Sequence, residues 1–255
     1  MTKAAYPILE CPANRVAVLN ANAFFPNGNF ANRAVLCFFK EVIEQLADLG
    51  QLERVGIVNL ENGLHPIYTM QYNGEKLLVM HPGVGAPYAA AMLEGLISMG
   101  AKNVVACGGG GVLNRDIVVG HLVVPTVAVR DEGTSYKYLP AAAEVLLNKT
   151  AIDAIGATLN KHNVPYIAGK VWTTDALFRE TPEVIAERAA AGCVIVEMEC
   201  AAFAAVAEFR NIQFGQILYG GDDVTADKWD GREWQEQSST REKLFWLAVE
   251  AACAL

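Results

Sequence analysis

Several things are scarce in this chain, and each scarcity closes off a class of protein. The six cysteines, Cys11, Cys37, Cys107, Cys193, Cys200 and Cys253, include no Cys-x-x-Cys pair. Most sit in apolar runs, so they read as buried reduced thiols rather than disulfide or zinc ligands. The four histidines show no metal-ligand spacing, and no metal site is expected. No Gly-x-Ser-x-Gly elbow is present. Positive charge is in deficit: 20 Lys and Arg stand against 28 Asp and Glu, a formal net charge of −8. That balance argues against a nucleic-acid groove or a basic membrane patch. No apolar run of about 18 residues escapes a charge or a Gly/Pro break, so no membrane span is expected. Met1 to Arg15 lacks an apolar stretch after a basic start, so no secretory leader is expected and the cytoplasm follows as the compartment.

What is present is a globular chain of 255 residues, 53% hydrophobic and 19% charged. One domain, 1–255, is expected at this length. The apolar composition points to a homo-oligomer. Short apolar runs alternate with helical stripes, the pattern of an α/β fold. Strands are expected at Arg15 to Asn20, Val55 to Leu60, Ile67 to Tyr72 and Leu77 to Met80, the last two joined by Asn73-Gly74. Further strands are expected at Val104 to Cys107, stopping at Gly108, and at Leu122 to Pro125, Ile167 to Thr173, Val194 to Val196 and Phe214 to Tyr219. Helical stripes run through Phe39, Val42, Ile43 and Leu46, and through Ala89, Met92, Leu93 and Leu96. Ala143 to Leu159 and Glu199 to Phe209 read as helices. Thr181-Pro182 opens another, and a Ser239/Glu242 capping box opens the last.

Four segments could carry chemistry. Gly83-Val84-Gly85 and the Gly108-Gly109-Gly110-Gly111 run let backbone N–H groups approach an anion, or else make tight turns. Glu197-Met198-Glu199 places two carboxylates at the end of a buried strand. Either can grip a vicinal diol while Met198 packs on a sugar, or Glu199 simply favours a helix N-terminus. Gly221-Asp222-Asp223 offers a general acid or a turn former. In Thr174-Asp175-Ala176-Leu177-Phe178-Arg179-Glu180, Phe178 could stack on a planar base read by Arg179 and Glu180, or plug the core.

Taken in order, these segments resemble the nucleoside phosphorylase family, which includes uridine phosphorylase, hexameric purine nucleoside phosphorylases and methylthioadenosine nucleosidases. The resemblance rests also on Val119-Gly120-His121-Leu122-Val123-Val124-Pro125 and covers roughly residues 14 to 250. It implies a three-layer α/β domain whose mixed central sheet closes partly into a barrel, assembled as dimers to hexamers. It implies cleavage of a nucleoside N-glycosidic bond by phosphate, with no cofactor beyond that co-substrate. Met198, Glu199 and Glu197 would hold the ribose, and Asp222 would be the acid with Asp223 as its reserve. Thr174, Phe178, Arg179 and Glu180 would hold the base, and Gly83, Gly85, Gly108, Gly109 and Gly110 the phosphate. The chain departs from that pattern where phosphate should bind. Asn20-Ala21-Asn22-Ala23 stands in place of the Gly-Asp-Pro loop, and Ala106 in place of the phosphate arginine. Arg33, Arg115, Arg130, Arg179 or a neighbour's His65 could compensate. A nucleosidase using water, or a nucleoside-binding protein without turnover, are the alternatives.

Overall fold

The computed structural model describes residues 5–226 and 228–255. Ten strands form one mixed sheet. Its first strand in the chain is β1 (Arg33–Cys37), followed by α1 (Lys40–Asp48), then β2 (Glu53–Leu60), β3 (Gly63–Tyr72), β4 (Glu75–Met80), α2 (Ala86–Ser98) and β5 (Asn103–Val112). The second half runs β6 (Leu122–Asp131), β7 (Glu144–Leu146), α3 (Lys149–Lys161), β8 (Tyr166–Thr174), α4 (Pro182–Ala190), β9 (Cys193–Glu197), α5 (Cys200–Arg210), β10 (Gln213–Asp223) and α6 (Ser238–Cys253).

The central strands are apolar on both faces because helices cover both faces. Alternate side chains serve different layers, as the two-residue strand period requires. Ala34, Leu36, Val104 and Ala106 pack with α2 and α5, while Val35, Cys37, Val105 and Cys107 pack with α1, α3 and α6. Strands β5, β10, β6, β8 and β9 pair in a closed circuit, since β9 returns to β5 and β10 pairs both β5 and β6. This closed circuit is the five-stranded barrel. Strands β1, β4, β3 and β2 extend from it as an open wing.

Four local expectations are overturned. Arg15 to Asn20 is no strand: it pairs with nothing, and Val16 and Val18 are exposed. The first strand is Arg33–Cys37, whose apolar run finds β4 and β5 on either side. Ala143 to Leu159 divides, because Glu144–Leu146 pairs with β6 and Asn148 then caps α3, its side chain accepting from the Ala151 N–H at 3.0 Å. The last helix starts at Ser238, and no side chain caps its N-terminus, so the Ser239/Glu242 box does not form. Finally, β5 does not stop at Gly108. It continues through the glycine run to Val112, alongside β10. Bare backbone is needed there because neighbours crowd it. A Cβ on Gly109 would stand 2.9 Å from the Tyr219 ring, and one on Gly110 would stand 2.5 Å from the Val196 carbonyl oxygen.

Candidate functional site

The site forms where strand β5 changes partners. One edge of β5 is paired with β10 along its length, with Gly220 opposite Gly110 and Asp223 opposite Val112. The other edge carries parallel β1 only as far as Cys107, and antiparallel β9 joins only at Gly111, opposite Val196. Between them, Gly108 to Gly110 has a strand on one side alone. Such points, at strand ends where the topology switches, are where α/β sheets open a crevice. The segments around it come from just after β1 (Phe38), from the turn after β4 (His81 to Gly85), from the turn between β9 and α5 (Met198 and Glu199) and from β10 (Asp222).

Glu199 is buried at the N-terminus of α5, and its Oε1 accepts the Gly85 N–H at 2.5 Å. That bond ties the N-terminus of α2 to that of α5. Gly85 has φ +97°, a conformation that favours glycine. Burial, and then the charge of neighbouring Glu197, raise the Glu199 carboxyl to about 8. Glu197 is spent on structure. Its Oε2 accepts the N–H groups of Glu199 (2.8 Å) and Cys200 (2.7 Å), and its Oε1 accepts the Thr173 hydroxyl at 2.5 Å. Thr173 Oγ1 in turn accepts the Ala201 N–H at 3.0 Å. Burial lifts Glu197 to about 7 against those donors. Met198 is half-buried between the two.

The adjacent aspartates have separate fates. Asp223 is buried and ion-paired with Arg232 at 2.8 Å, and Thr225 donates to it through N–H and hydroxyl. Burial works to raise it, but those bonds and the charges of Arg232 and Arg115 hold its carboxyl below the ordinary range. It stays ionised and is a poor proton donor. Asp222 is half-buried and salt-bridge-free among the described residues, with Oδ1 facing Gly111 and Oδ2 accepting the Trp229 indole N–H at 2.6 Å. Glu180 lies beside it, pushed up to about 7 by burial and then by the Asp222 charge.

The loop after β8 links the two halves. Asp175 at its start bears on Glu199, and Glu180 at its end bears on Asp222. Thr174 is buried, its hydroxyl accepting the Ala176 N–H at 3.2 Å. Phe178 is 91% exposed, so it does not plug the core. Arg179 is exposed on the same turn.

Two of the expected phosphate glycines already have partners for their N–H groups, and three lie within a strand. Gly83 donates its N–H to His81 Nδ1 at 3.0 Å, Gly85 donates to Glu199, and Gly108 to Gly110 lie within a strand. The loop after the first strand is Phe38-Phe39-Lys40, not Asn20 to Ala23, because that strand is Arg33–Cys37. The Phe38 ring covers Gly108, 3.0 Å from where a Cβ would stand, and meets His81 edge-on. Burial lowers His81, which favours its neutral form. Three of the four arginines that could compensate are committed elsewhere. Arg33 pairs with Glu75, Arg115 bonds Thr225 and nears Asp223, and Arg130 bonds Ser135, Leu139 and Pro140. Sequence reasoning missed Thr173, Phe38 and Trp229. Only Trp229 left a local signal, an aromatic in the polar stretch seven residues past Asp222.

The raised carboxyls make stability fall with rising pH. Glu199 and Glu180 bind protons more tightly folded than unfolded, so the folded state holds the extra protons between about pH 4.5 and 8. Their contribution is full below the unfolded value and lost as pH climbs through 7 and 8. Thermal melts should show a lower Tm at pH 8.5 than at pH 5.5, and Glu180→Gln should flatten that decline.

Residues 32–251 match the family model described as the phosphorylase superfamily. Guanosine phosphorylase of Halorubrum lacusprofundi is 25% identical over 201 residues, covering 79% of this chain and 82% of that protein. A DeoD-type purine nucleoside phosphorylase of Clostridium perfringens is 30% identical over 196 residues, covering 74% and 80%. Among solved structures, an AMP nucleosidase from Bacteroides thetaiotaomicron superposes with a TM-score of 0.70 at 22% identity, covering 87% of each chain, a likeness of fold. No helix among the described residues is long and apolar enough to cross a membrane. With a family match spanning most of its length, this chain belongs to the phosphorylase superfamily.

Proposed function

We propose that the chain cleaves the N-glycosidic bond of a nucleoside and that water is the acceptor. The observation carrying this reading is the placement of Glu199 and Asp222 on opposite edges of one glycine stretch, joined by the loop that bears on both. Glu199, as carboxylate, accepts the sugar hydroxyls. Asp222 Oδ1 gives its proton to a ring nitrogen of the base as the C1′–N bond lengthens. Water then forms the C1′–O bond, and its released proton restores Asp222. Atoms and charge balance without a cofactor. Proton donation of this kind is worth about 10²–10⁴-fold.

Water is favoured over phosphate by the surroundings. Arg33, Arg115 and Arg130 are bonded elsewhere, Phe38 covers Gly108, and the Gly85 N–H already faces the Glu199 carboxyl. A phosphate dianion placed there would meet the carboxyl groups of Glu199 and Asp222. The same argument favours nucleosides over nucleotides. Phosphorolysis is the second reading. The phosphorylase relatives favour it, and it requires a cation brought by another subunit. Base release from guanosine, adenosine and uridine, measured with and without phosphate, separates the two. Free ribose at an unchanged rate supports water, and ribose 1-phosphate formed only with phosphate refutes it. No release from any nucleoside refutes both.

A further inference from the structure

We infer that Trp229 is a positioning residue for the acid: it fixes which oxygen of Asp222 carries the proton. The proposal rests on the glycosidase reading above and goes beyond it.

Trp229 is 67% exposed, so burial does not account for a tryptophan at this position. Its one polar atom does. The indole N–H points at Asp222 Oδ2 and bonds it at 2.6 Å. An indole nitrogen donates and never accepts. Oδ2 is therefore the acceptor in either protonation state, and the acidic proton sits on Oδ1. Oδ1 is the oxygen turned to Gly111, the residue at the end of the Gly108 to Gly110 stretch where β5 lacks its second neighbour. A carboxyl without this bond would exchange its proton between two oxygens, only one of which faces the crevice.

The tryptophan is held in place by the contacts that return the chain to β10. Asp223 and Asp230 exchange backbone bonds, N–H to O at 2.8 and 3.2 Å, so the chain returns alongside β10. The buried Asp223 carboxylate binds Arg232 two residues further on, and Arg232 also donates to the Ile117 carbonyl at 2.9 Å. The Trp229 ring lies over Gly231, where a Cβ would stand 3.0 Å from it. Asp223 thus anchors the return that delivers Trp229 to Asp222, which gives the second aspartate its role.

The bond also favours the reaction itself. In the acid form of Asp222 it is made to a neutral group, and after proton transfer it is made to a carboxylate. Bonds to charged acceptors are about twice as strong, so Trp229 stabilises the state in which the proton has left.

The test compares Trp229→Phe, which removes the donor, with Trp229→His, which restores an N–H. Two substrates are used: a nucleoside that the unsubstituted protein cleaves, and 4-nitrophenyl β-D-riboside, whose leaving group departs without full protonation. Trp229→Phe should lower kcat on the nucleoside about tenfold with KM within about twofold. The nucleoside-to-nitrophenyl rate ratio should fall about tenfold, and Trp229→His should recover part of it. Equal losses on both substrates, with the ratio unmoved, would overturn the proposal and leave the glycosidase reading intact. No base release by the unsubstituted protein would overturn both.

Discussion

Asp222→Asn is expected to cut base release by about 10²–10⁴-fold while leaving the fold and nucleoside affinity in place. Asparagine matches the shape of aspartate, and its oxygen can still accept the Trp229 indole N–H. What it lacks is a transferable proton. The loss should therefore fall on kcat and leave KM nearly unchanged, the mark of an interaction made in the transition state. Asp223→Asn should behave differently. Asp223 is buried in an ion pair with Arg232, so its replacement leaves a guanidinium short of its partner and lowers stability. Steady-state kinetics with urea denaturation of both variants checks the contrast. If Asp222→Asn kept full kcat, the acid would have to be sought elsewhere, with Glu180 beside it the first candidate.

The second large effect is expected at Glu199. Glu199→Gln should lower kcat/KM for ribonucleosides about 10²-fold, because two hydroxyl bonds to a charged acceptor become bonds to a neutral amide. The loss should shrink for 2′,3′-dideoxynucleosides, which lack the diol. A pH effect accompanies it. The free carboxyl is raised to about 8, so at neutral pH the site must shed a proton before it can grip the diol. Rising pH supplies this carboxylate while it strips the proton from the acid Asp222, so kcat/KM of the unsubstituted protein should fall at alkaline pH, and Glu199→Gln should leave a profile that only declines as pH rises. Glutamine keeps an oxygen for the Gly85 N–H, so the tie between α2 and α5 survives. Equal losses on ribo- and dideoxynucleosides would remove the sugar role from Glu199.

Much of the scaffold was legible because it is written in local periods. The continuous apolar run of Leu77 to Met80 and the helical stripe through Ala89, Met92, Leu93 and Leu96 both lie where expected. Arg15 to Asn20 misled because its apolar pattern equals that of a strand. Pairing partners decide the matter, and the region offers it none. The glycine run misled for the opposite reason. Its composition suggests a turn, yet glycine also suits a strand whose neighbours press against its faces. The Glu197-Met198-Glu199 element was readable as a pair of carboxylates needing partners, but not as two different jobs. Only the folded chain brings Thr173 and the start of α5 to Glu197, leaving Glu199 to face Gly85.

The sequence by itself determined the layering of the sheet and the order of the chemical segments, since both follow from residue type and short-range spacing. The tertiary structure alone decided which carboxyl serves which purpose. A carboxyl's charge and reach depend on burial and on donors 2 to 114 residues away, from Thr225 for Asp223 to Gly85 for Glu199. That is why Asp222 and Asp223, adjacent and identical in type, stand as an acid and an anchor.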